Sequence, residues 1–176
     1  SQELIVMSNL EGLNMKVGET FAPTSYAETL NGEKTLCQAV IYYNKKGVFS
    51  TAKAITVNRS EGTIRANEPG THEIVALCIG QEGQRLSRTF PVQVDYPKAK
   101  EINIKLSSLA VYEGSFIPLE FEIVDEMGFS RKNEFFQLSS NSNNIEIDAF
   151  NNVKAVSPGK AVIEASFDGI SSSVEI

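Results

Sequence analysis

The sequence predicts an all-β chain of two tandem β-sandwich units. Three observations lead there. A block repeats at an offset of 89 positions. Short segments alternate apolar and polar residues, the period of a half-buried strand. No window of a dozen residues carries a helical stripe, and Gly, Asn and Ser turns separate the short strands, as in sandwiches.

The repeat is read first because it sets the domain count. Thr63-Ile64-Arg65-Ala66-Asn67-Glu68-Pro69-Gly70-Thr71-His72-Glu73-Ile74-Val75-Ala76 matches Asn152-Val153-Lys154-Ala155-Val156-Ser157-Pro158-Gly159-Lys160-Ala161-Val162-Ile163-Glu164-Ala165 without a gap. Upstream, Gly18-Glu19-Thr20-Phe21-Ala22-Pro23 echoes Gly114-Ser115-Phe116-Ile117-Pro118, each preceded by an alternating stretch: Leu13, Met15 and Val17, then Leu109 and Val111. Phe90-Pro91-Val92-Gln93-Val94 is set against Ser172-Ser173-Val174-Glu175-Ile176. Gly18 to Pro69 is 51 positions and Gly114 to Pro158 is 44, so the first copy has about seven extra residues mid-domain. Its last hairpin, around Gln81-Glu82-Gly83-Gln84, is also longer. Length differences confined to connections are what loops tolerate. The joint is Tyr96-Pro97-Lys98-Ala99-Lys100, which divides the chain into 1–96 and 97–176.

Strands follow within each copy. Cys37 shares a phase with Ala39, Ile41 and Tyr43, and Cys78 with Ile74 and Ala76, so both cysteines are expected in the core. Tyr42, Tyr43 and Phe49 flank Asn44-Lys45-Lys46-Gly47, a turn by composition. Alternation puts one tyrosine inside and one outside. In Pro69-Gly70 and Pro158-Gly159, proline fixes φ and glycine supplies the positive φ of a type II turn. The short strand before each pair is expected to neighbour the run after it. In the second copy, Glu101 to Leu106 alternates, Leu119, Phe121 and Ile123 share one face, and Ala161, Ile163, Ala165 and Phe167 share another.

These residues resemble a known family. Val-Gly-Glu near the start, then Val-Lys-Ala, Pro-Gly and Ala-x-Ile-x-Ala, is similar to the bacterial Ig-like domain of group 2. The second copy carries Val153-Lys154-Ala155, Pro158-Gly159 and Ala161-Val162-Ile163-Glu164-Ala165; the first keeps Val17-Gly18-Glu19, Ile64-Arg65-Ala66 and Pro69-Gly70 but departs at His72. The resemblance implies two immunoglobulin-like sandwiches. It also implies the settings of that family: intimin- and invasin-like adhesins, phage virion proteins and accessory modules of secreted bacterial enzymes.

Composition excludes several functions. The 176 residues hold 16 Lys and Arg, 22 Asp and Glu, 41% hydrophobic residues, two Cys and one His. A formal net charge of −6 gives no basic excess for phosphates, so nucleic acid is not an expected partner. No apolar run approaches the ~20 residues of a membrane-spanning helix. His72 is the single imidazole, and the reading is a turn-proximal, partly buried side chain rather than a catalytic base. Neither a zinc-spaced Cys/His cluster nor a glycine-rich phosphate loop is present, so no cofactor is expected. Glu120, Glu122, Asp125 and Glu126 cluster in the second copy, whose net charge is −5 against −1 for the first. They read as a solvated face, with a weak calcium site as the alternative. Cys37 and Cys78 are left as either a disulfide or buried thiols. Asn58-Arg59-Ser60 fits the glycosylation sequon, and Phe135-Phe136 reads as packing.

Ser1 is not an initiator Met, and Ser173-Val174-Glu175-Ile176 breaks off inside a strand pattern, so the expectation is a cut or processed chain. The function expected is a non-enzymatic module of an exported bacterial surface or secreted protein: a spacer, stalk or adhesion segment. Its expected partners are other domains of the parent polypeptide, with a glycan or a cell-surface protein as binding alternatives. Accessory domains packed beside a secreted hydrolase are the other alternative.

Overall fold

The computed structural model describes residues 3–45, 53–106, 112–132 and 134–176. Lys46, Gly47, Phe49, Leu109 and Val111 lie outside the described residues. The described residues form strands and turns, and the chain divides into two compact units, Ser1–Tyr96 and Pro97–Ile176.

In the first unit the strands are β1 (Leu4–Ser8), β2 (Asn14–Lys16), β3 (Thr20–Phe21), β4 (Ser25–Thr29), β5 (Lys34–Thr35), β6 (Ala39–Asn44), β7 (Ile55–Asn58), β8 (Thr63–Ala66), β9 (Gly70–Ile79) and β10 (Arg85–Asp95). Strand β4 pairs with β1 and β5, while β3 pairs with β8, which pairs with β7. Between β3 and β4 lies Pro23, which has no N–H for a ladder. Together β3 and β4 act as one strand that changes partner at the proline, giving the A-B-E-D layer of an immunoglobulin-type sandwich. The other layer runs β2-β10-β9-β6. It is the C-F-G layer extended by β2, which pairs parallel to β10 through Asn14 to Lys16. Between the layers Val6, Leu10, Ile55, Ile64, Ile74, Phe90, Val92 and Val94 are essentially sealed from solvent.

The second unit repeats the plan with β11 (Ala99–Leu106), β12 (Leu119–Asp125), β13 (Ser130–Arg131), β14 (Gln137–Ser139), β15 (Ile145–Ile147), β16 (Val153–Ala155), β17 (Val162–Phe167) and β18 (Ile170–Glu175). The sheets are β11-β12-β13, β15-β16 and β14-β17-β18. The Phe116–Lys154 bridge attaches β16 to the segment before β12, with Pro118 at the change of partner. Two core clusters result, one around Ile123, Phe136 and Ala165 and one around Ile145, Val153 and Ile163; Leu138 packs against both. This is a tandem of two immunoglobulin-like β-sandwiches.

The repeated sequence blocks are the two halves of one backbone clamp. Gly18 N–H donates to Ala66 O at 2.8 Å and Ala66 N–H donates to Glu19 O at 3.0 Å. In the second unit Gly114 N–H donates to Ala155 O at 2.7 Å and Ala155 N–H donates to Ser115 O at 2.9 Å. The glycines, at φ +98° and +84°, each sit third in a turn closed by a bond to the residue three earlier, Glu19 to Lys16 and Ser115 to Tyr112. That is type II turn chemistry. The blocks recur together because they bond to each other.

The Pro-Gly steps correct the type II turn expectation. Gly70 and Gly159 do take positive φ, +124° and +137°. The bend, however, is held from outside. Asn67 N–H and Glu68 N–H both donate to Ala54 O, and Val156 N–H and Ser157 N–H both donate to Asn144 O. The strand after each bend is not the partner of the strand before it; β8 and β9, like β16 and β17, lie in different sheets. Pro-Gly marks the crossing between layers.

Two register expectations also shift. On β6 the inward residues are Val40 and Tyr42, not Ala39, Ile41 and Tyr43. Cys37 lies before the strand begins, where alternation cannot be extrapolated. In the last hairpin His72 pairs with Val92, whereas Ala161 exchanges hydrogen bonds with Ile176. Val92 therefore corresponds to Ile176, two residues from the alignment read in the sequence. The shift keeps the inward phase, so alternation did not reveal it. The shorter hairpin turns on Asp168 and Gly169, both at positive φ, +49° and +81°, as a two-residue primed turn requires.

Candidate functional site

Cys37 and Cys78 form a disulfide, with Cα atoms 5.4 Å apart. Strand β9 positions Cys78 in the inward row with Ile74 and Ala76. Cys37 sits in the segment crossing from β5, in one layer, to β6, in the other. Next to it Gln38 N–H donates to Ile79 O at 2.8 Å. The bridge staples that crossing segment to the sheet it joins.

His72 lies beside the Pro-Gly bend. Its Nε2 is 2.9 Å from Glu68 O, and its ring stands over Gly70, where an added Cβ would be 3.3 Å from Cε1. The ring braces the bend. In the second unit the corresponding residue is Ala161, and a pocket of about 300 Å³ opens there over Ile117, Ile145, Gly159 and Ile176.

The carboxylates divide by role. Glu120 is exposed on β12. Asp125, in the inward phase, is 2% exposed. Its Oδ1 accepts from Met127 N–H at 2.9 Å and Phe129 N–H at 3.1 Å, capping the β12–β13 turn. The solvated-face expectation fails for this one residue, because its own turn satisfies it. Among the described residues no group of three His, Cys, Asp or Glu side chains is placed to hold a metal ion.

A second Asp turn escaped the sequence reading. Between β15 and β16, Asp148 Oδ1 accepts from Phe150 N–H at 2.8 Å and Asn152 N–H at 2.9 Å, and Oδ2 accepts from Asn152 Nδ2 at 3.0 Å. Backbone and side-chain bonds from Asn152 hold its carboxyl below the usual carboxylate range. The counterpart between β7 and β8 is Asn58, whose Oδ1 accepts from Ser60 Oγ and from Glu61 N–H. The sequon asparagine is thus a turn former. The signal was an Asx residue opening a turn, hidden by the divergence of the middle segments.

The aromatics separate likewise. Tyr42 is buried, its hydroxyl 2.7 Å from Ser25 Oγ, and burial pushes its pKa up. Phe136 is buried and meets Phe121 and Phe167 at ring separations of 5.1 and 5.8 Å. Phe135 is 67% exposed, so only half of that pair serves as packing.

The outward faces of the C-F-G layers differ most. In the first unit register aligns Tyr43 with Val75 and Thr89, Ile41 with Leu77 and Ser87, and Ala39 with Ile79 and Arg85. This is an apolar stripe on an outer face. In the second unit register aligns Gln137 with Ser166 and Ser171, and Ser139 with Glu164 and Ser173. That face is polar.

No known protein family's sequence profile and no curated protein matches the chain. Solved structures are similar at low identity. Domains 4 and 5 of the S-layer protein SbsC align over 98% of this chain and 96% of that one, at 14% identity and a TM-score of 0.39. Protocadherin gamma B2 extracellular cadherin domains 1–5 align over 93% of this chain and 36% of that one, at 11% identity and a TM-score of 0.45. Against the longer SbsC structure, residues 31–844, the chain spans about 27% of the length. No helix among the described residues is long and apolar enough to cross a membrane.

Proposed function

We propose that the chain is a non-catalytic pair of bacterial group 2 Ig-like domains from an exported surface or secreted protein, serving as a spacer, stalk or adhesion segment. The observation that carries this reading is the doubled clamp: one set of backbone bonds, built twice in tandem around chemically unremarkable cores. Each unit buries its own core, so the second copy repeats the scaffold without adding a site. The Cys37–Cys78 bridge supports export, since such bonds persist in oxidising compartments. Expected partners are neighbouring domains of the parent polypeptide.

An immunoblot of fractionated source cells, with an antibody to this chain, tests the reading. A band well above 19.3 kDa in the envelope or secreted fraction supports it. A band at that mass confined to the cytosol, with both thiols free, overturns it.

One observation favours a second reading, accessory domains packed beside the catalytic domain of a secreted hydrolase. It is the outward apolar row of Ile41, Tyr43 and Leu77, each partly exposed around a buried Val75, since apolar surface grouped on one face marks an interaction site. Hydroxyl-radical footprinting of the Ile41, Tyr43 and Leu77 side chains that is strong in the isolated chain and lost in the parent protein would select it over the spacer.

A further inference from the structure

We infer that the outer C-F-G face of the second unit is a binding site for a neutral oligosaccharide. The face borders a depression of about 510 Å³ lined by Phe135, Gln137, Glu164, Ser166, Asp168 and Ser171. The chemistry fits a sugar. Phe135 offers an exposed aromatic ring at one margin, a surface on which the C–H face of a pyranose stacks. Register brings the amide of Gln137 and the hydroxyls of Ser166 and Ser171 into one row across three strands. Such groups both donate and accept, as a ring of hydroxyls requires. Among the described residues, no hydrogen bond within the chain engages the side chains of Gln137, Glu164, Ser166 or Ser171. Nearby Ser140 and Ser142, by contrast, are bonded to Val162.

Charge narrows the ligand. Glu164 and Asp168 line the depression, and no Lys or Arg does. The unit as a whole is acidic. A sulfated or otherwise polyanionic glycan is repelled; a neutral or amino sugar is not. The inference stands apart from the spacer reading, because a stalk domain with a polar, aromatic-edged face can bind sugar whatever the parent does.

The test is an amide NMR titration of the ¹⁵N-labelled chain with soluble maltohexaose, cellohexaose and chitohexaose, and with a heparin hexasaccharide. The expected result is a saturable shift, with at least one neutral sugar, of amides at Phe135, Gln137, Ser166 and Asp168 to Ser171. Phe135→Ala should weaken that binding about tenfold while leaving the remaining amide spectrum in place. Gln137→Ala provides a second variant on the same row and should also weaken it. The inference is overturned if no neutral sugar shifts these amides at millimolar concentration. It is equally overturned if only heparin does, or if both variants bind as the parent chain does.

Discussion

The two units share a backbone frame and close it differently. Where the first has Cys78 on β9, tied to Cys37 in the crossing segment, the second has Phe167 on β17, against Phe136, which in turn meets Phe121. A covalent staple and an aromatic cluster occupy the same end of the same sandwich. The clamp needs specific backbone geometry, a glycine at positive φ and a strand at fixed register, so it tolerates little change. The core needs only filled volume, so it admits different chemistry. The first solution constrains the unfolded chain; the second stabilises the folded one by burial.

The comparison breaks most sharply at Phe136. Phe136→Ala removes the middle ring of three and should cost about 3–5 kcal/mol. Amide hydrogen exchange should show the loss in 97–176 and leave protection of β9 and β10 unchanged. Equal loss in both units would mean that they do not unfold independently. The staple is next. The loop it closes spans 41 positions, for which chain entropy alone gives roughly 4 kcal/mol and measured bridges typically 2–4. The double variant Cys37→Ala, Cys78→Ala should lose that in the first unit only. Adding a reductant should destabilise the first unit of the parent chain and leave the second unmoved.

The crossing bends sharpen it further. Val at either Pro-Gly glycine must adopt a left-handed φ, at a cost of order 1–3 kcal/mol. The neighbours differ. At Gly159 an added Cβ would come within 2.9 Å of Asn144 Nδ2, which donates to Lys160 O. At Gly70 it would meet the His72 ring at 3.3 Å. Gly159→Val should therefore lower Tm more than Gly70→Val. The reverse order would mean that the His72 brace matters more than the Asn144 bond.

Much of the fold could be read from the residues alone, because repetition and period-two alternation both survive in the clamp and on β9 and β17. The site was less legible. The outward rows of Gln137, Ser166 and Ser171 come from three separated strands, and only register aligns them. The cysteine pairing depended on Cys37, two residues before β6 begins and packed on the core although Ala39, in the same phase, faces outward. Asp125 groups in the sequence with the surface acids around it, although its phase with Leu119, Phe121 and Ile123 and the Gly128 turn that follows carry the signal.

The smallest effect isolates a single turn. The β7–β8 turn of the first unit forms on a neutral Asn58, and the β15–β16 turn of the second on Asp148. Only in the second is the side chain that accepts the turn's N–H groups itself an acid. The Asp148 carboxyl is held below its ordinary value of 3.8 by the N–H groups it accepts from. Its folded pKa is depressed, so the stability it contributes is present above the unfolded value and is lost as pH falls through the folded one. Acidification below that ordinary value should loosen β15 and β16, read as faster exchange of the Phe150 and Asn152 amides, beyond any change at the Glu61 amide in the first unit. Asp148→Asn places in the second unit the chemistry of the first. It should leave the turn formed at neutral pH and remove its own acid response. An acid response that persists in Asp148→Asn would assign it to other carboxylates of this acidic unit.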